Sequence, residues 1–539
     1  MSLTTLLPPA RAGDRATGTP DRRRRAPLLH RSWPSLVTAL VLSVVYGATL
    51  QRGTGNAFSV DTTKFELVGR ALGTPHPPGY PLYTVLDALA VRVVPFGSDA
   101  LRVNLLSAVC AVLVCLAAVQ VLGELGQPPA LQAGGSVALG LLPALWQDAV
   151  VAEVYTLSAL FLAAVLLCLL RYERTHHRAW LRAAVLVFAL SFAHATSDVL
   201  LVPGLLLYLL LRRPWWLLHP RELLVLAPTS AALALLPYLY LPWRTAVAGN
   251  SWVETRVYDR HSFWAAVTGA QFGDRMFEVP ATVVRTVRLP VLADAATAQL
   301  GPLLALAGVG LVVLALRRTW VAVLTLAWAG GTAWFVLRYL VEDWPTLLLP
   351  VWLLAGLWAL VGVDAAVRRV PSRRRALVAA VVAVVLPLAA LLHGYGAADR
   401  RGPDPQRAVD AAVAAVPDGS LVFTGSLEAR QQFAYRLLPD DLGLRRRVWA
   451  AEGGDHGGRP DQAVVILREY CAPVAGSWAW PWHEQLASPT VPRGLHTFVF
   501  GREYAGQMQD QGYRVRPVSG ELSSVDCRPG SGRRGDGPR

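Results

Sequence analysis

Only 16% of the 539 residues are charged, while 53% are hydrophobic, and the mean hydropathy is +0.38. Soluble domains carry about 25% charged residues, so this composition excludes an ordinary soluble enzyme and is typical of a chain that lies largely in lipid. The formal net charge of +14 comes from arginines, with Lys64 as the single lysine. Because these arginines lie between apolar runs, we interpret them as signals of membrane topology and predict no nucleic-acid partner.

Residues 1–31 are polar and rich in Arg and Pro, which predicts a disordered cytoplasmic tail. A membrane-spanning helix needs roughly 20 apolar residues, and by that measure residues 32–396 form a transmembrane domain with about eleven spans. The first span has no small-residue cleavage site and is interpreted as an anchor. The candidate spans are 33–50, 103–123, 131–147, 150–170, 179–194, 197–211, 222–241, 298–316, 319–337, 345–363 and 376–394.

The distribution of arginines predicts the orientation of these spans. With the N-terminus in the cytoplasm, the runs Arg212-Arg213, Arg317-Arg318 and Arg373-Arg374-Arg375 all fall on the cytoplasmic side, as the positive-inside rule requires. An odd number of spans then places the C-terminal region outside. We therefore expect a multi-pass protein of the plasma membrane, embedded in the lipid bilayer.

Two long segments are predicted on the outer face, at residues 51–102 and 242–297. The first contains an apolar stretch, Tyr83–Val94, which Asp87 and Arg92 interrupt. This stretch is too short to span, and we predict an amphipathic helix that lies on the membrane surface.

Residues 397–520 have the composition of a soluble domain, in which helical and strand patterns alternate. The sequence thus predicts an all-α polytopic membrane protein with a small extracytoplasmic α/β domain, followed by a disordered tail at 521–539. Cys471 and Cys527 lie in this exported region and are candidates for a disulfide, but their spacing does not decide whether they pair. The predicted helices are Ala408–Val416 and Gln432–Leu438, and the predicted strands are Ser420–Phe423, Ala463–Leu467 and Thr497–Phe500.

The predicted topology gathers polar side chains at the outer face, where they meet water, each other or a ligand in place of lipid. Each has a purely structural alternative. Asp61 is a candidate helix N-cap, His76 lies in a turn made rigid by prolines, and Glu153 suits a helix N-terminus. His194 is a candidate for a hydrogen-bonded histidine at the membrane interface. Arg338 is a candidate for an arginine whose side chain extends along the membrane to place its charge at the interface. The full set is Asp61, Glu66, His76, Asp148, Glu153, Tyr155, His194, Asp198, Arg338, Glu342 and Asp343.

Taken together, several motifs resemble a membrane family that includes the eukaryotic O-mannosyltransferase of IPT-domain receptors. The resemblance covers roughly residues 35–395, and it rests on Asp61 followed by Thr74-Pro-His-Pro-Pro-Gly-Tyr-Pro-Leu-Tyr83, on Ala144-Leu-Trp-Gln-Asp-Ala-Val-Val-Ala-Glu-Val-Tyr-Thr-Leu157, and on Phe192-Ala-His194. It implies a GT-C glycosyltransferase, a multi-span enzyme that takes a sugar from a polyprenyl phosphate on the outer face.

In that superfamily an acidic residue of the first outer loop acts near the acceptor, and Asp61 occupies this place. The resemblance therefore makes Asp61 the catalytic candidate. Relatives often have the sequence Asp-Ser-Gly-Glu here, whereas this chain has Asp61-Thr-Thr-Lys64. The lysine replaces the second carboxylate, which argues against a site with two carboxylates and against the usual donor or acceptor. The predicted substrate-binding residues are Lys64, His76, Tyr80, Glu153, Tyr155, His194, Arg244 and Arg338.

The resulting hypothesis is transfer of a sugar, with mannose as the first candidate, from a polyprenyl-phosphate donor to a hydroxyl of a protein Ser/Thr or glycan acceptor. Asp61 would be the general base of an inverting displacement. The leaving phosphate needs cationic partners, for which Arg338, Arg244, Lys64 and His76 are unranked candidates. No metal or other cofactor is predicted. If the enzyme hypothesis holds, Asp61, His76, Glu153 and Arg338 should converge on one cavity.

The alternative hypothesis is a polytopic transporter or flippase of a lipid-linked or anionic substrate. Such a protein should show two related halves and ionisable groups at mid-membrane. We detect no internal repeat, and the polar residues lie at one face. A non-enzymatic scaffold would leave the acidic cluster at the outer face unexplained.

Overall fold

A computed structural model describes residues 28–55, 61–247, 252–341, 343–402, 405–417, 420–424, 427–437, 449–452, 497–519 and 522–526. The described helices are α1 Leu28–Thr49, α2 Thr62–Ala71, α3 Pro81–Val93, α4 Asp99–Glu124, α5 Pro129–Gly140, α6 Pro143–Ala149, α7 Tyr155–Thr175, α8 Arg178–Ser191, α9 Val202–Arg212, α10 Pro220–Leu235, α11 Tyr240–Ala246, α12 Arg260–Thr268, α13 Ala281–Val283, α14 Leu289–Leu300, α15 Leu303–Arg317, α16 Thr319–Arg338, α17 Leu349–Arg368, α18 Ser372–Ala398, α19 Gln406–Ala415, α20 Leu427–Leu437 and α21 Ala505–Asp510.

Among the described residues, seven helices are long and apolar enough to cross a membrane. An eighth candidate is a pair of helices, Ala281–Leu300 and Leu303–Arg317, which meet at 91°. The fold class predicted from the sequence, a polytopic helical membrane protein, is confirmed. The seven are Ser32–Thr49, Asp99–Glu124, Tyr155–Thr175, Pro220–Ala246, Thr319–Arg338, Thr346–Arg368 and Ser372–Ala398.

Three predicted spans are shorter or broken in the structure. The span at 131–147 is divided between α5 and α6, and Pro143 begins the second piece. The span at 197–211 begins as a 3-10 helix, Thr196–Leu201, before Pro203 in the first turn of α9. The span at 179–194 becomes α8, which has 14 residues. Proline is favoured in the first turn of a helix, which agrees with the breaks before Pro143 and Pro203, whereas α18 continues through Pro387.

Glycines allow the closest helix crossing in the membrane domain, that of α15 with α17. A Cβ atom at Gly310 would lie 1.7 Å from the carbonyl oxygen of Trp358. A Cβ atom at Gly362 would lie 2.1 Å from the carbonyl oxygen of Leu306. Small residues at such crossings let two backbones approach directly in a lipid environment.

The first outer segment folds back over the ends of the spans as α2 and α3, which pack against α4. Residues 81–93 form a helix, as the sequence predicts, and its Val85, Leu89 and Val93 are exposed. Asp87 is instead fully buried, so the charge that interrupts the apolar pattern faces the protein interior.

The C-terminal domain is a mixed sheet flanked by helices. Its described strands are ordered β2-β1-β3-β5-β4, with β1 parallel to β2 and β3, and β5 antiparallel to β3 and β4. The domain extends past residue 520, where the sequence predicts a disordered tail, because β5 pairs with two neighbours. The predicted strand at 463–467 and both candidate disulfide cysteines, Cys471 and Cys527, lie outside the described residues. The strands are β1 Ser420–Thr424, β2 Trp449–Glu452, β3 Thr497–Gly501, β4 Arg516–Ser519 and β5 Leu522–Asp526.

Helix α20 of this domain docks onto α2 of the first outer segment. Ala434 and Tyr435 pack with Leu67 and Val68 of α2. Buried Gln432 joins the two helices more directly, because its Nε2 donates to the carbonyl oxygen of Gly55 at 2.7 Å and to Thr63 Oγ1 at 2.9 Å. Its Oε1 accepts from Thr54 and Gln406, at 2.6 Å each.

Candidate functional site

The N-terminus of α2 presents Asp61 and Lys64 on one side of the helix. The carbonyl oxygen of Asp61 accepts from the backbone N–H of Phe65 at 3.0 Å, which starts the helix. The Asp61 side chain makes no capping hydrogen bond. It accepts from Lys64 Nζ at 2.8 Å instead, so the N-cap alternative does not describe the role of this carboxylate.

Lys64 lies at the centre of the cluster, with 5% of its side chain exposed. Its ammonium group also contacts His76 Nδ1 at 3.0 Å and lies 3.6 Å from Glu254 Oε2. A buried charge is stable only when it is paired and hydrogen-bonded. The three partners explain why this chain tolerates a buried lysine beside the candidate catalytic carboxylate.

The ion pair sets the charge state of the cluster. Burial alone raises the pKa of Asp61, but the charges of Lys64 and His76 and the Lys64 hydrogen bond lower that pKa to about 2. Burial alone lowers the pKa of Lys64, but the charges of Asp61 and Glu254 raise it above its ordinary value. Burial and the Lys64 charge lower the pKa of His76. Near neutral pH the cluster therefore contains an ionised Asp61–Lys64 pair and a neutral imidazole.

The proline-rich turn holds His76 against this pair. Gly79, at φ +82°, donates its backbone N–H to the His76 carbonyl oxygen at 2.9 Å. Because an ammonium group only donates, Nδ1 of His76 accepts from Lys64 and Nε2 carries the ring proton. Nε2 lies 3.4 Å from the hydroxyl oxygen of Tyr80, and burial together with the Asp61 and Glu153 charges raises the pKa of Tyr80.

The second outer segment supplies Glu254 by pairing with the backbone before His76. The N–H of Thr74 donates to the Trp252 carbonyl oxygen, and the N–H of Glu254 donates to the Thr74 carbonyl oxygen, at 2.9 Å each. A Cβ atom at Gly73 would lie 2.0 Å from the Trp252 carbonyl oxygen, so this approach requires glycine. Glu254 was not predicted, because no local pattern links it to a turn about 180 residues earlier.

The Ala-Glu-Val-Tyr motif reaches the same region from the connection between α6 and α7. Thr62 Oγ1 donates to Glu153 Oε1 at 3.4 Å, which links the motif to the first turn of α2. The N–H of Glu153 donates to Ser107 Oγ at 3.1 Å. Tyr155 is the first residue of α7 and packs, like Tyr80, against the buried cluster that includes Phe65 and Val154.

His194 closes the aromatic side of the site. Its Nε2 is 2.9 Å from the carbonyl oxygen of Val154, and its ring centroid is 6.0 Å from that of Tyr80 and 5.9 Å from that of Tyr83. The ring is fully buried. This geometry agrees with the structural alternative, a hydrogen-bonded histidine that packs behind the site.

The two predicted arginines lie outside the Asp61–Lys64–His76 contacts. The Arg244 guanidinium lies 5.2 Å from the Trp243 ring centroid and donates to the Val247 carbonyl oxygen at 3.5 Å. Arg338 Nη2 donates to the Phe277 carbonyl oxygen at 2.8 Å, and among the described residues it contacts no member of that cluster. Glu342, named with it from the sequence, lies outside the described residues.

Asp61 and His76 therefore lie in one cluster around Lys64, and Thr62 links Glu153 to the start of the same helix. Of the four candidate cations, Lys64 is the one that donates to Asp61. Chemically, the cluster offers a carboxylate that can accept a proton and an adjacent ammonium that can bind an anion, both at the start of one helix.

Comparison with known proteins matches the part of the chain that contains these residues. Residues 61–218 match the family model described as protein O-mannosyl-transferase TMEM260 N-terminal domain. Over 224 residues the chain is 32% identical to the protein O-mannosyl-transferase TMEM260 of Mus musculus, and this match covers 39% of this chain. The resemblance predicted from the sequence is confirmed, and the chain spans about 30% of the length of this curated relative.

Comparison with solved structures extends over almost the whole chain. ArnT from Cupriavidus metallidurans bound to undecaprenyl phosphate superposes with a TM-score of 0.58, covering 94% of this chain and 99% of ArnT. The fold is therefore similar to that of ArnT. The apo state of the same protein gives a TM-score of 0.59, with 92% of this chain and 98% of ArnT covered. Sequence identities are 13% and 14%.

Proposed function

We propose that this chain is a membrane glycosyltransferase that transfers a sugar, with mannose as the first candidate, from a polyprenyl phosphate to a hydroxyl acceptor on the outer face. The observation that supports this most directly is the ionised Asp61–Lys64 pair, buried beside His76 and Glu254 within a GT-C fold. A base and a cation at hydrogen-bond distance are what sugar transfer from a lipid phosphate requires.

In the proposed reaction the acceptor oxygen bonds to the anomeric carbon while the bond from that carbon to the phosphate oxygen breaks. The acceptor proton passes to the Asp61 carboxylate. The leaving polyprenyl phosphate gains one negative charge, which Lys64 stabilises. This is a single inverting displacement, and cationic side chains supply the charge, so the proposal includes no metal or other cofactor.

The pair also couples donor binding to the basicity of Asp61. Without a donor, Lys64 holds the pKa of Asp61 at about 2, which makes the carboxylate a weak base. A donor phosphate that binds Lys64 shares the ammonium charge, so the pKa of Asp61 rises toward the range in which proton abstraction is efficient. Donor binding thereby prepares the base for the acceptor.

The other predicted residues take supporting roles in this proposal. Tyr80, Glu153 and Tyr155 are proposed to offer hydrogen bonds to sugar hydroxyls. His76 keeps Lys64 oriented, while His194 supports Tyr80 by packing. Arg244 in α11 and Arg338 at the end of α16 are proposed to bind the phosphate or acceptor only after these parts of the chain move.

The donor and acceptor classes are supported by the relatives. The mouse relative is named an O-mannosyl-transferase, and ArnT was solved with undecaprenyl phosphate. By analogy with these proteins, we propose that the donor of this chain is a polyprenyl-phosphate sugar and that the acceptor is a protein Ser/Thr or a glycan. The outer-face location follows from the arginine distribution.

The decisive experiment is a transfer assay with polyprenyl-phosphate mannose, glucose or arabinose, comparing the wild type with Asp61→Asn. We expect Asp61→Asn to lower the rate by about 10²–10⁴-fold, as for loss of a general base. Asp99→Asn is the matched control, because Asp99 pairs with Arg70 and Arg102 outside the cluster, and it should keep near-wild-type activity. Retained activity in folded Asp61→Asn protein would refute the assignment of the base.

A further inference from the structure

An open cavity of about 520 Å³ lies at the end of the membrane domain opposite the candidate site. Two spans show this placement independently. Helix α7 begins at Tyr155 beside the site, and its last turns, with Glu173 and Arg174, line the cavity. Helix α16 begins at the cavity and ends at Arg338 in the outer region. At 1.5 Å per residue these helices are roughly 30 Å long, which matches the thickness of a bilayer core.

Part of the positive charge of this cavity is neutralised by two glutamates. Arg212 forms an ion pair with Glu173, which also accepts from the Tyr208 hydroxyl at 2.9 Å. Arg174 forms an ion pair with Glu124 at 2.6 Å. These contacts hold the C-terminal turns of α7 and α9 in place and form one wall of the cavity.

Arg317 and Arg318 add two positive charges without such compensation. They form the connection between α15 and α16 and line the cavity. In the part of the chain that the structure describes, neither guanidinium forms an ion pair. These two arginines therefore bring positive charge without an ion-pair partner among the described residues to the lining of an open cavity.

The surroundings of the cavity suit a lipid more than a soluble anion. Trp320 lines it, is 9% exposed, and packs edge-on against Tyr208 at 5.3 Å. Leu211, also in the lining, is 49% exposed, and Leu316, which precedes Arg317 in the chain, is 80% exposed. Each leucine lies in the last turn of its helix, Leu211 in α9 and Leu316 in α15. A ligand here meets arginines at its head and apolar side chains along its tail.

We propose that this cavity binds the phosphate headgroup of an anionic glycerophospholipid from the leaflet opposite the candidate site, with Arg317 and Arg318 as the main phosphate ligands. Guanidinium groups bind phosphate oxygens through paired hydrogen bonds. The acyl chains lie along Leu211 and Leu316 at the outer surface of the helices. The proposal is independent of the sugar-transfer chemistry.

Native mass spectrometry of the purified full chain tests this site by titration with phosphatidylglycerol, phosphatidylcholine or inorganic phosphate. We expect phosphatidylglycerol to bind the wild type and to bind the double variant Arg317→Gln/Arg318→Gln at least about tenfold more weakly, since loss of a single charged hydrogen bond already lowers affinity by about that factor. Arg317→Lys/Arg318→Lys should retain part of the affinity, which distinguishes a lost charge from misfolding.

Arg373→Gln/Arg374→Gln is the matched control, because these arginines are exposed at another helix end and do not line the cavity. It should bind phosphatidylglycerol as the wild type does. Equal weakening in both glutamine variants would overturn the proposal in favour of nonspecific charge attraction. Binding of inorganic phosphate as tight as that of phosphatidylglycerol would overturn the lipid as the ligand, and unchanged lipid binding in the Arg317/Arg318 variant would overturn the site.

Discussion

At the scale of single residues, the candidate site depends on the contact between Asp61 and Lys64. The carboxylate has a depressed pKa, so it stays ionised below its ordinary pKa of 3.8 and loses its charge only as the pH falls to about 2. The lysine has a raised pKa, so it stays charged above its ordinary value of 10.5. The pair is therefore intact across the whole physiological pH range.

Replacing Lys64 by methionine should move the pH dependence of sugar transfer. Without the ammonium charge, burial dominates and the pKa of Asp61 rises, by roughly 1–3 units for a lost close charge. Because the base must be ionised, the acidic limb of the kcat/KM profile should shift to higher pH by a similar amount. Lys64→Arg retains the charge and should leave the limb near its wild-type position. An unshifted limb in Lys64→Met would mean that Asp61 is not the titrating base.

The residues also show how far the sequence could predict the site. Asp61, His76 and Glu153 were predicted because they belong to motifs long enough to be specific. Lys64 was noticed only because it departs from those motifs. In the structure its ammonium group contacts two carboxylates and an imidazole, and these contacts stabilise the buried charge. Glu254 was missed because backbone pairing between distant segments positions it, and such pairing leaves no local pattern.

At the scale of elements, α2 is held between the membrane domain and the C-terminal domain. Thr62 contacts Glu153 of the membrane domain, while Thr63 on the next position accepts from Gln432 of α20. Adjacent residues of one helical turn thus contact two different domains. The orientation of Asp61 and Lys64 depends on both contacts.

Gln432→Ala should weaken this docking, because it removes both donors to Gly55 and Thr63 and leaves buried acceptors unsatisfied. Each such acceptor costs about 1–3 kcal/mol. We expect a lower thermal midpoint and a lower rate of sugar transfer, both measured on the purified full chain. Arg436→Ala, on the same helix, removes a more exposed ion pair with Asp410 worth about 0–1 kcal/mol and serves as control. Equal thermal midpoints for the two variants would contradict a specific role for Gln432.

The long spans α4, α7 and α16 were predicted well, because their apolar runs are long and free of proline. Proline alone does not decide the outcome, since α18 continues through Pro387 and the proline-free α8 is short. The helix breaks before Pro143 and Pro203 depend on the local backbone and its packing, which a hydropathy profile does not describe. The inward face of α3 was also missed, because Asp87 is buried by tertiary packing against α2.

At the scale of the whole molecule, the charge distribution predicts which side of the membrane each end of the fold faces. Phe96 in the first outer segment is 58% exposed, and Arg373 in a predicted cytoplasmic turn is also exposed. In a variant whose five cysteines are replaced by serine, Phe96→Cys should react with a membrane-impermeant maleimide in intact cells. Arg373→Cys should react only after permeabilisation. Labelling of both in intact cells would refute the predicted topology.

The contact between Gln432 and Thr63 also has a consequence for biosynthesis. The two residues are 369 positions apart, and ribosomes add about 5–20 residues per second. Roughly 20 to 70 s therefore separate the synthesis of α2 from that of the helix that braces it. A newly inserted membrane domain would wait that long with α2 unsupported by α20, so completion of the candidate site would be a late event that follows synthesis of the C-terminal domain.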